Sequence, residues 1–352
     1  MRASVWNSRG AVNRPSDKSV ARPPARPAGC GYHQRMTPGN APSPPSGVEL
    51  LQDEPLARHT YLRIGGPARY FATPADTNQL ERLALWASDA GLPLLVIGGG
   101  SNLLVADGGV SALVVSLRRA CGGMAFEETL VTAGAAVMLP ALARAAAERD
   151  LGGLEFAIGI PGSVGGALQT NAGIGDGRCI APLVRSVEVL TTEQPAASVR
   201  RTLAAEQIRF DYRSSSLRGS GHTVLSATLD LLERPGEEIR ASMRRLLGAR
   251  GASQPTADPN AGSIFRNPPD DYAGRLVDTA GCKGLAAGAA SVSELHANFI
   301  VHNGGGTATD VATLMAKVQR RVFERFGVWL EPEIEWWGDG PTPEAFSGPR
   351  TR

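Results

Sequence analysis

Three polar side chains in separate segments are of types that can act on an anionic substrate. Arg213 follows the aromatic Tyr212 and precedes two serines, and an arginine binds a carboxylate or phosphate through paired hydrogen bonds. Ser263 follows a glycine and precedes an apolar pair, which favours a sharp turn at the edge of a cleft. Glu333 follows Pro332 in an extended segment. Taken alone, each also fits an ordinary role: a surface ion pair, a turn serine and a solvated carboxylate.

Two glycine-rich segments predict backbone cradles for phosphate. The first follows an apolar strand, and consecutive glycines let backbone N–H groups approach an anion. Leu103 stands where the Rossmann pattern needs its third glycine, a strand rather than a helix follows, and there is no Walker lysine. A tight β-turn is the alternative. Two such segments together indicate a large dinucleotide held mostly by backbone. The residues concerned are Gly98, Gly99, Gly100, Ser101 and Asn102 in the first, and Pro161, Gly162, Ser163, Gly165, Gly166, Asn171 and Gly173 in the second.

Composition argues against several classes of protein. Residues 1–35 carry seven basic residues and one acidic residue, so the rest of the 352-residue chain is net negative and a nucleic-acid footprint is not expected. The sequence contains no run of 18 apolar residues, so no membrane span is predicted. The four scattered cysteines and the histidines lack the spacing of a metal site, so no metal is expected. Cysteine usage also fits a reducing compartment.

The elements that position these segments are short strands and a few helices. Strands are predicted at 69–73, 94–97, 103–106, 113–117, 186–190 and 223–231. Helices are predicted after Thr73 as N-cap, at 139–149 as the one helix of the middle of the chain, at 237–250, and at 310–326 between Thr309 as N-cap and Gly327. The segment 1–46 is predicted to be disordered because it is rich in Pro and Arg and lacks a hydrophobic period, and Met36 is a plausible start of translation.

The motifs resemble those of the UDP-N-acetylenolpyruvoylglucosamine reductase family, both in their residues and in their order along the chain. The resemblance extends from about residue 56 to residue 338 and is similar to the shorter, second type of the family. His59-Thr60 followed by residues 63–68 (RIGGPA) looks like the opening signature. The later motifs are GGGSN at 98–102, IPGSVGG at 160–166, NAG at 171–173, DYRSS at 211–215, AGSIFRNP at 261–268, AGCKG at 280–284, HANF at 296–299 and VWLEPE at 328–333.

This resemblance implies an α+β fold. It implies a two-part FAD-binding domain of the vanillyl-alcohol-oxidase (PCMH) type, with subdomains at 47–118 and 119–235. A C-terminal α/β substrate-binding domain is expected at 236–340, followed by a disordered tail at 341–352. A cytoplasmic monomer is also expected.

The resemblance further implies a reaction and its site residues. NADPH reduces non-covalently bound FAD, and hydride then passes to the enolpyruvyl group of UDP-N-acetylglucosamine enolpyruvate in peptidoglycan precursor synthesis. Arg213 and Glu333 stabilise the resulting enolate, and Ser263 protonates it. Tyr212, Asn267 and Lys283 are expected to bind the UDP-sugar.

The sequence also departs from the family. Residues 174–177 and 285–293 differ from the usual motifs, and Glu335 stands where many relatives carry a basic residue. Two alternatives remain at this stage. One is another FAD-dependent oxidoreductase of the same fold, and the other is a non-catalytic nucleotide-binding module.

Overall fold

A computed structural model describes residues 43–193 and 197–348 of the chain. The predicted disorder of residues 1–42, the proposed start at Met36 and the final four residues lie outside the described residues. Within the described part, the predicted mixture of helices and sheets is confirmed. None of its helices combines the length and apolar character that a membrane crossing needs.

The first region is a four-stranded sheet with one helix. The strand order is β1-β2-β5-β3, in which β1 runs antiparallel to β2, and β2 and β3 run parallel to β5. The predicted β-α-β-β-β order is confirmed, with β1 preceding it. The elements are β1 (Leu50–Pro55), β2 (Pro67–Ala72), α1 (Thr77–Asp89), β3 (Leu94–Ile97), β4 (Leu103–Val105) and β5 (Val110–Ser116).

The N-cap of α1 is Asp76, and the predicted cap at Thr73 was wrong. The Asp76 carboxylate accepts the N–H of Gln79 at 2.8 Å, and the Gln79 side chain accepts the N–H of Ala75 at 2.8 Å. Two first-turn donors are satisfied by this exchange, which a threonine three residues earlier cannot provide. The predicted apolar stripe of Leu80, Leu83, Ala84 and Ala87 is buried.

The middle region is an antiparallel sheet of order β10-β9-β13-β7-β6, with helices on it. The prediction of a single helix here was wrong, because α3 forms inside the second glycine segment. Its N-cap is Ser163, and it buries Val164, Ala167 and Leu168 at helical spacing despite two glycines. The elements are β6 (Met124–Glu127), β7 (Leu130–Gly134), α2 (Leu139–Ala147), β8 (Leu151–Gly152), α3 (Val164–Thr170), β9 (Val184–Glu193), β10 (Ala197–Ala204), β11 (Phe210–Asp211), β12 (Ser214–Ser215), β13 (His222–Asp230) and β14 (Leu232–Glu233).

The last region contains two further helices and a small sheet of order β15-β16-β17. The preceding helix α4 buries Ile239 and Met243 in the core of the middle region. The elements are α4 (Gly236–Ser253), α5 (Ala273–Thr279), β15 (Ala286–Ala287), β16 (Ala290–Val292), β17 (Ile300–His302), α6 (Ala308–Phe326) and β18 (Glu335–Trp337). The domain boundaries at 118/119 and 235/236 stay predictions.

Helix α6 begins with Thr307 as N-cap, two residues before the predicted Thr309. Thr307 and Asp310 form a reciprocal capping box. Thr309 instead donates its N–H and its hydroxyl to the Asp107 carboxylate, at 3.0 and 2.7 Å. The predicted end at Gly327 is confirmed, with φ at 68°.

The end of the chain returns to the first region. Strand β18 pairs in parallel with β4, so that Glu335 lies opposite Leu103. The buried His302 ring is 2.6 Å from the Leu62 carbonyl oxygen. This return places the segment that contains Glu333 directly beside the first glycine segment.

The expectation of a disordered tail from residue 341 was wrong for residues 341–348. A short 3₁₀ helix spans Glu344–Phe346, and Ala345 is fully buried. The buried amide of Gln319 on α6 donates to the carbonyls of Leu330 and Ala345, at 2.9 and 3.0 Å. This side chain therefore fixes both the tail and the strand that leads to Glu333.

Gln319→Leu is expected to lower the free energy of unfolding by about 2–4 kcal/mol, because two buried carbonyls lose their donor. Urea denaturation followed by far-UV circular dichroism measures the change. The control Arg320→Gln removes only an exposed ion pair with Glu344 and should cost at most about 1 kcal/mol. Equal losses in the two variants would contradict the structural role given to Gln319.

Candidate active site

The centre of the site is an ion pair between Arg213 and Glu333. The Arg213 Nε and Glu333 Oε1 atoms lie 2.9 Å apart, and the two side chains are only 17% and 19% exposed. A carboxylate and a guanidinium in such surroundings are screened little by water, so they interact strongly with each other and with any charge placed beside them.

Arg213 lies in a strained turn between β11 and β12. The hairpin has only Tyr212 and Arg213 between its pairs, and Arg213 has φ at 54°. This conformation is unusual for a residue other than glycine or asparagine. The Asn171 amide donates to the Asp211 carbonyl at 3.0 Å. The NAG motif thereby fixes the base of the hairpin that presents Arg213.

Glu333 is held by backbone contacts on both sides. Its N–H donates to the Ile264 carbonyl at 2.8 Å, and its carbonyl accepts from the Asn102 amide at 3.1 Å. The Glu335 N–H donates to the Asn102 carbonyl at 2.9 Å. Asn102 was expected to bind the cofactor, and its side chain holds the Glu333 segment.

Ser263 precedes a segment that pairs with the Glu333 segment. Phe265 forms an antiparallel bridge with Pro332, which places Ser263 close to Glu333 in register. The Asn298 side chain accepts from the Phe265 N–H at 3.0 Å and donates to its carbonyl at 2.8 Å. Gly262 has φ at 75°, which allows the turn before Ser263. The structure thus brings Arg213 into contact with Glu333 and places the half-buried Ser263 opposite Ile334, one residue from Glu333 in register.

Burial raises the pKa of the Glu333 carboxyl above its ordinary value, and the nearby Arg213 and Arg266 guanidinium groups oppose this effect in part. A carboxyl in this position retains its proton to a higher pH than one in water.

The two glycine segments lie directly against each other. A Cβ atom on Gly98 would lie 2.3 Å from Ser163 Oγ, and one on Gly99 would lie 3.1 Å from the Pro161 oxygen. A Cβ atom on Gly100, which has φ at 64°, would lie 2.0 Å from the His59 oxygen. Gly100 is required by the close approach of the His59 backbone, and Gly98 and Gly99 are in tight contact with the second segment, a reason that the sequence interpretation did not include.

A cavity of about 480 Å³ opens beside the first glycine segment. Its wall includes Gly98, Gly99 and three arginines, Arg58, Arg63 and Arg118. Guanidinium groups and exposed backbone next to a glycine turn suit the diphosphate of a dinucleotide. The residues present therefore fit the anionic part of a flavin dinucleotide. The three arginines lie outside both glycine segments, and the sequence analysis selected none of them as a site residue. The only sequence signal was for Arg63, which begins the signature at 63–68.

The remaining predicted residues lie at varied positions. Tyr212 is 55% exposed next to Arg213. The Asn267 oxygen accepts from the Ala273 N–H at 3.0 Å, and Lys283 pairs with Asp278 at 3.1 Å. Glu335, the acidic departure from the family, pairs with Arg218 at 3.3 Å.

The predicted cofactor residues of the second segment have structural contacts. Ser163 caps α3 by accepting the Gly166 N–H at 3.4 Å. A Cβ atom on Gly165 would lie 3.0 Å from that of Ala135. One on Gly173 would lie 2.3 Å from the Arg178 oxygen, so this glycine is needed for packing as well.

Comparison with known proteins gives consistent matches. Residues 68–194 match an FAD-binding domain family, and residues 254–337 match the C-terminal domain of UDP-N-acetylenolpyruvoylglucosamine reductase. A reductase of that name from Moorella thermoacetica is 45% identical over 293 residues, which is 83% of this chain and 95% of the relative. One from Synechococcus sp. is 44% identical over 294 residues, covering 82% of this chain and 93% of the relative.

A crystal structure of this reductase from Thermus caldophilus is also similar. It has a TM-score of 0.68 and 37% sequence identity, and the match covers 82% of this chain and 98% of that chain. The predictions of an α+β fold and of an FAD-binding domain are confirmed by these findings.

The raised pKa of Glu333 predicts a pH-dependent stability. The folded protein retains this proton to a higher pH than the unfolded chain, so the stability contributed by the protonated carboxyl is lost as pH rises through the folded pKa. A glutamine has no proton to lose. The free energy of unfolding of Glu333→Gln, relative to that of the unchanged protein, should therefore increase as pH rises from the ordinary glutamate pKa of about 4.3 through the raised pKa of the folded state.

Urea denaturation at a series of pH values measures this difference. Glu331→Gln, which removes a carboxyl from the exposed neighbour, is the matched control for the substitution itself. A Glu333→Gln difference that decreases with pH would show that the carboxyl is stabilised in its charged form.

Proposed function

Because the chain belongs to the UDP-N-acetylenolpyruvoylglucosamine reductase family, we propose that Arg213, Ser263 and Glu333 carry out the reaction of that family. The protein is an FAD-dependent oxidoreductase that reduces UDP-N-acetylenolpyruvoylglucosamine in peptidoglycan precursor synthesis. The observation that carries the assignment of roles is the half-buried Arg213–Glu333 pair beside Ser263. NADPH is the proposed reductant, and UDP-N-acetylmuramate is the proposed product.

FAD, when bound, would supply a hydride, drawn from NADPH, for addition to the methylene carbon of the enolpyruvyl group. The glycine segments and the cavity arginines Arg58, Arg63 and Arg118 are the residues proposed to hold it. The neighbouring α-carbon and carboxylate then carry the developing negative charge, and the site residues must stabilise that charge.

Arg213 binds the substrate carboxylate, and its preorganised charge stabilises the enolate more strongly than the ground state. The strained turn supports this role, because it fixes the guanidinium before substrate arrives. Glu333 acts in its protonated form and donates a hydrogen bond to the same carboxylate. The pKa of Glu333, raised by burial, favours that form.

Ser263 donates its hydroxyl proton to the α-carbon, and the proton is replaced from water. A serine can protonate only a strongly basic centre, and the enolate is such a centre. The Ser263 hydroxyl makes no hydrogen bond to another residue in the described parts of the chain, so it is available to the substrate. Asn298 keeps its segment in place through the two bonds to Phe265.

Tyr212, Asn267 and Lys283 are proposed to bind the UDP-sugar. The Lys283–Asp278 pair is partly exposed, so a diphosphate can replace Asp278 at little cost. Tyr212 presents an exposed ring next to Arg213. A cytoplasmic monomer is proposed because UDP-sugars and NADPH are cytoplasmic and because one chain supplies all three catalytic residues. Size-exclusion chromatography with light scattering tests the monomer.

The function is tested with the purified full-length protein. We expect a yellow protein whose visible flavin absorbance bleaches with NADPH and recovers only on addition of enolpyruvyl-UDP-N-acetylglucosamine. NADPH loss should match the amount of that sugar nucleotide. A protein whose NADPH oxidation does not depend on the sugar nucleotide would contradict the assignment.

Ser263→Ala should separate the two halves of the reaction. Reduction of the flavin by NADPH should be unchanged, and reoxidation by the sugar nucleotide should slow by about 10²–10⁴-fold, as expected when a positioned acid is removed. Stopped-flow absorbance measures both rates. The control Ser253→Ala, at the end of α4, should match the unchanged enzyme. Equal damage to both half-reactions would rule out a role for Ser263 as proton donor.

A further inference from the structure

The catalytic pair has a third charged neighbour, Arg266, to which the sequence analysis gave no role. Arg266 lies in the segment that follows Ser263, and its Nη2 donates to the Arg213 carbonyl oxygen at 3.3 Å. Its backbone N–H donates to the Glu331 carbonyl at 2.9 Å. The residue is half-buried, so its contacts are partly protected from water.

We propose that Arg266 is a positioning residue that holds the Arg213 turn in its active conformation and keeps a second positive charge beside Glu333. The proposal rests on the proposed function and assigns to it a residue outside the three catalytic ones. Arg266 acts through Arg213 and Glu333, and it need not contact the substrate.

The first part of the argument concerns the backbone of Arg213. A non-glycine residue at φ 54° is strained and keeps that conformation only when its surroundings enforce it. The hydrogen bond from Arg266 reaches the carbonyl of that same residue. It thus ties the turn of β11 and β12 to the segment that carries Ser263, 53 residues away in the chain.

The second part concerns charge. The charged groups that face Glu333 are Arg213 from the hairpin and Arg266 from the Ser263 segment. Along its own segment, Glu331 is exposed, and Glu335 is paired with Arg218. In the proposed mechanism, Arg213 binds the substrate carboxylate. Its charge is then shared between the substrate and Glu333, whereas the charge of Arg266 stays beside Glu333.

These two roles predict different effects for two substitutions. Arg266→Gln removes the positive charge and the guanidinium N–H group that reaches the Arg213 carbonyl. Arg266→Lys keeps the charge but loses the planar array of guanidinium donors. Removal of the cation raises the pKa of Glu333 further. Since the proposed reaction needs protonated Glu333, the limb of the pH profile that falls toward high pH should move to higher pH in Arg266→Gln and stay in place in Arg266→Lys.

The experiment uses the full-length holoenzyme and stopped-flow measurement of both half-reactions between about pH 5.5 and about pH 9. In Arg266→Gln, reoxidation by the sugar nucleotide should slow by about tenfold to a hundredfold at its best pH, with reduction by NADPH unchanged. Arg266→Lys should also slow reoxidation, without a shift of the profile. Arg244→Gln is the matched control, since it removes the same charge from an exposed pair with Glu237, and it should behave as the unchanged enzyme.

A readout without turnover completes the test. Affinity for UDP-N-acetylmuramate, measured by isothermal titration calorimetry, should fall by about tenfold in Arg266→Gln because the Arg213 turn is released. If Arg266→Gln equals Arg244→Gln in rate, pH profile and affinity, the positioning role is wrong although the proposed function stands. If reoxidation slows in both Arg266 variants but neither pH profile shifts, the claim that the charge of Arg266 acts on Glu333 is contradicted. If the unchanged enzyme shows no reoxidation by the sugar nucleotide, the proposed function itself fails.

Discussion

The ion pair between Arg213 and Glu333 is the contact on which the rest of the site depends. Burial of a guanidinium beside a carboxyl costs free energy that only close polar partners and hydrogen-bonded surroundings can offset. The structure meets this demand from several directions, because the hairpin, the Ser263 segment and the first glycine segment all bond to one of the two residues or to its backbone. None of these segments is adjacent in sequence, so the pair also fixes how the middle region meets the last one.

Local rules are broken where this pair forms. Arg213 occupies a turn conformation that favours glycine, and Glu333 is a carboxyl whose burial disfavours its charge. Helix α6, in contrast, follows ordinary preferences, since it is capped and terminated and buries an apolar face. A strained backbone at Arg213 and a desolvated carboxyl at Glu333 meet in one contact, and this coincidence indicates a position under functional demand.

The sequence predicted the elements well where one strong local signal was present. The apolar stripe of α1 and the terminal glycine of α6 are examples. The sequence-based prediction was wrong where several nearby residues can fill one role. Thr73 was predicted as the N-cap of α1, and Asp76 is the N-cap in the structure. The prediction also failed in the second glycine segment, where Gly165 and Gly166 hid helix α3.

Motifs selected the candidate site residues, whereas no motif predicted the contacts between them. The bond from Asn102 to the Glu333 carbonyl joins residues 231 positions apart, and no local pattern encodes it. The glycine motifs illustrate the same limit. Gly98 and Gly100 are small because Ser163 and the His59 backbone approach them closely. That approach closes the wall of a cavity whose positive charge comes from arginines outside both motifs. The glycine pattern that indicates a dinucleotide is therefore also a requirement for loop packing, and the arginines that line the same cavity are proposed to add affinity for an anion.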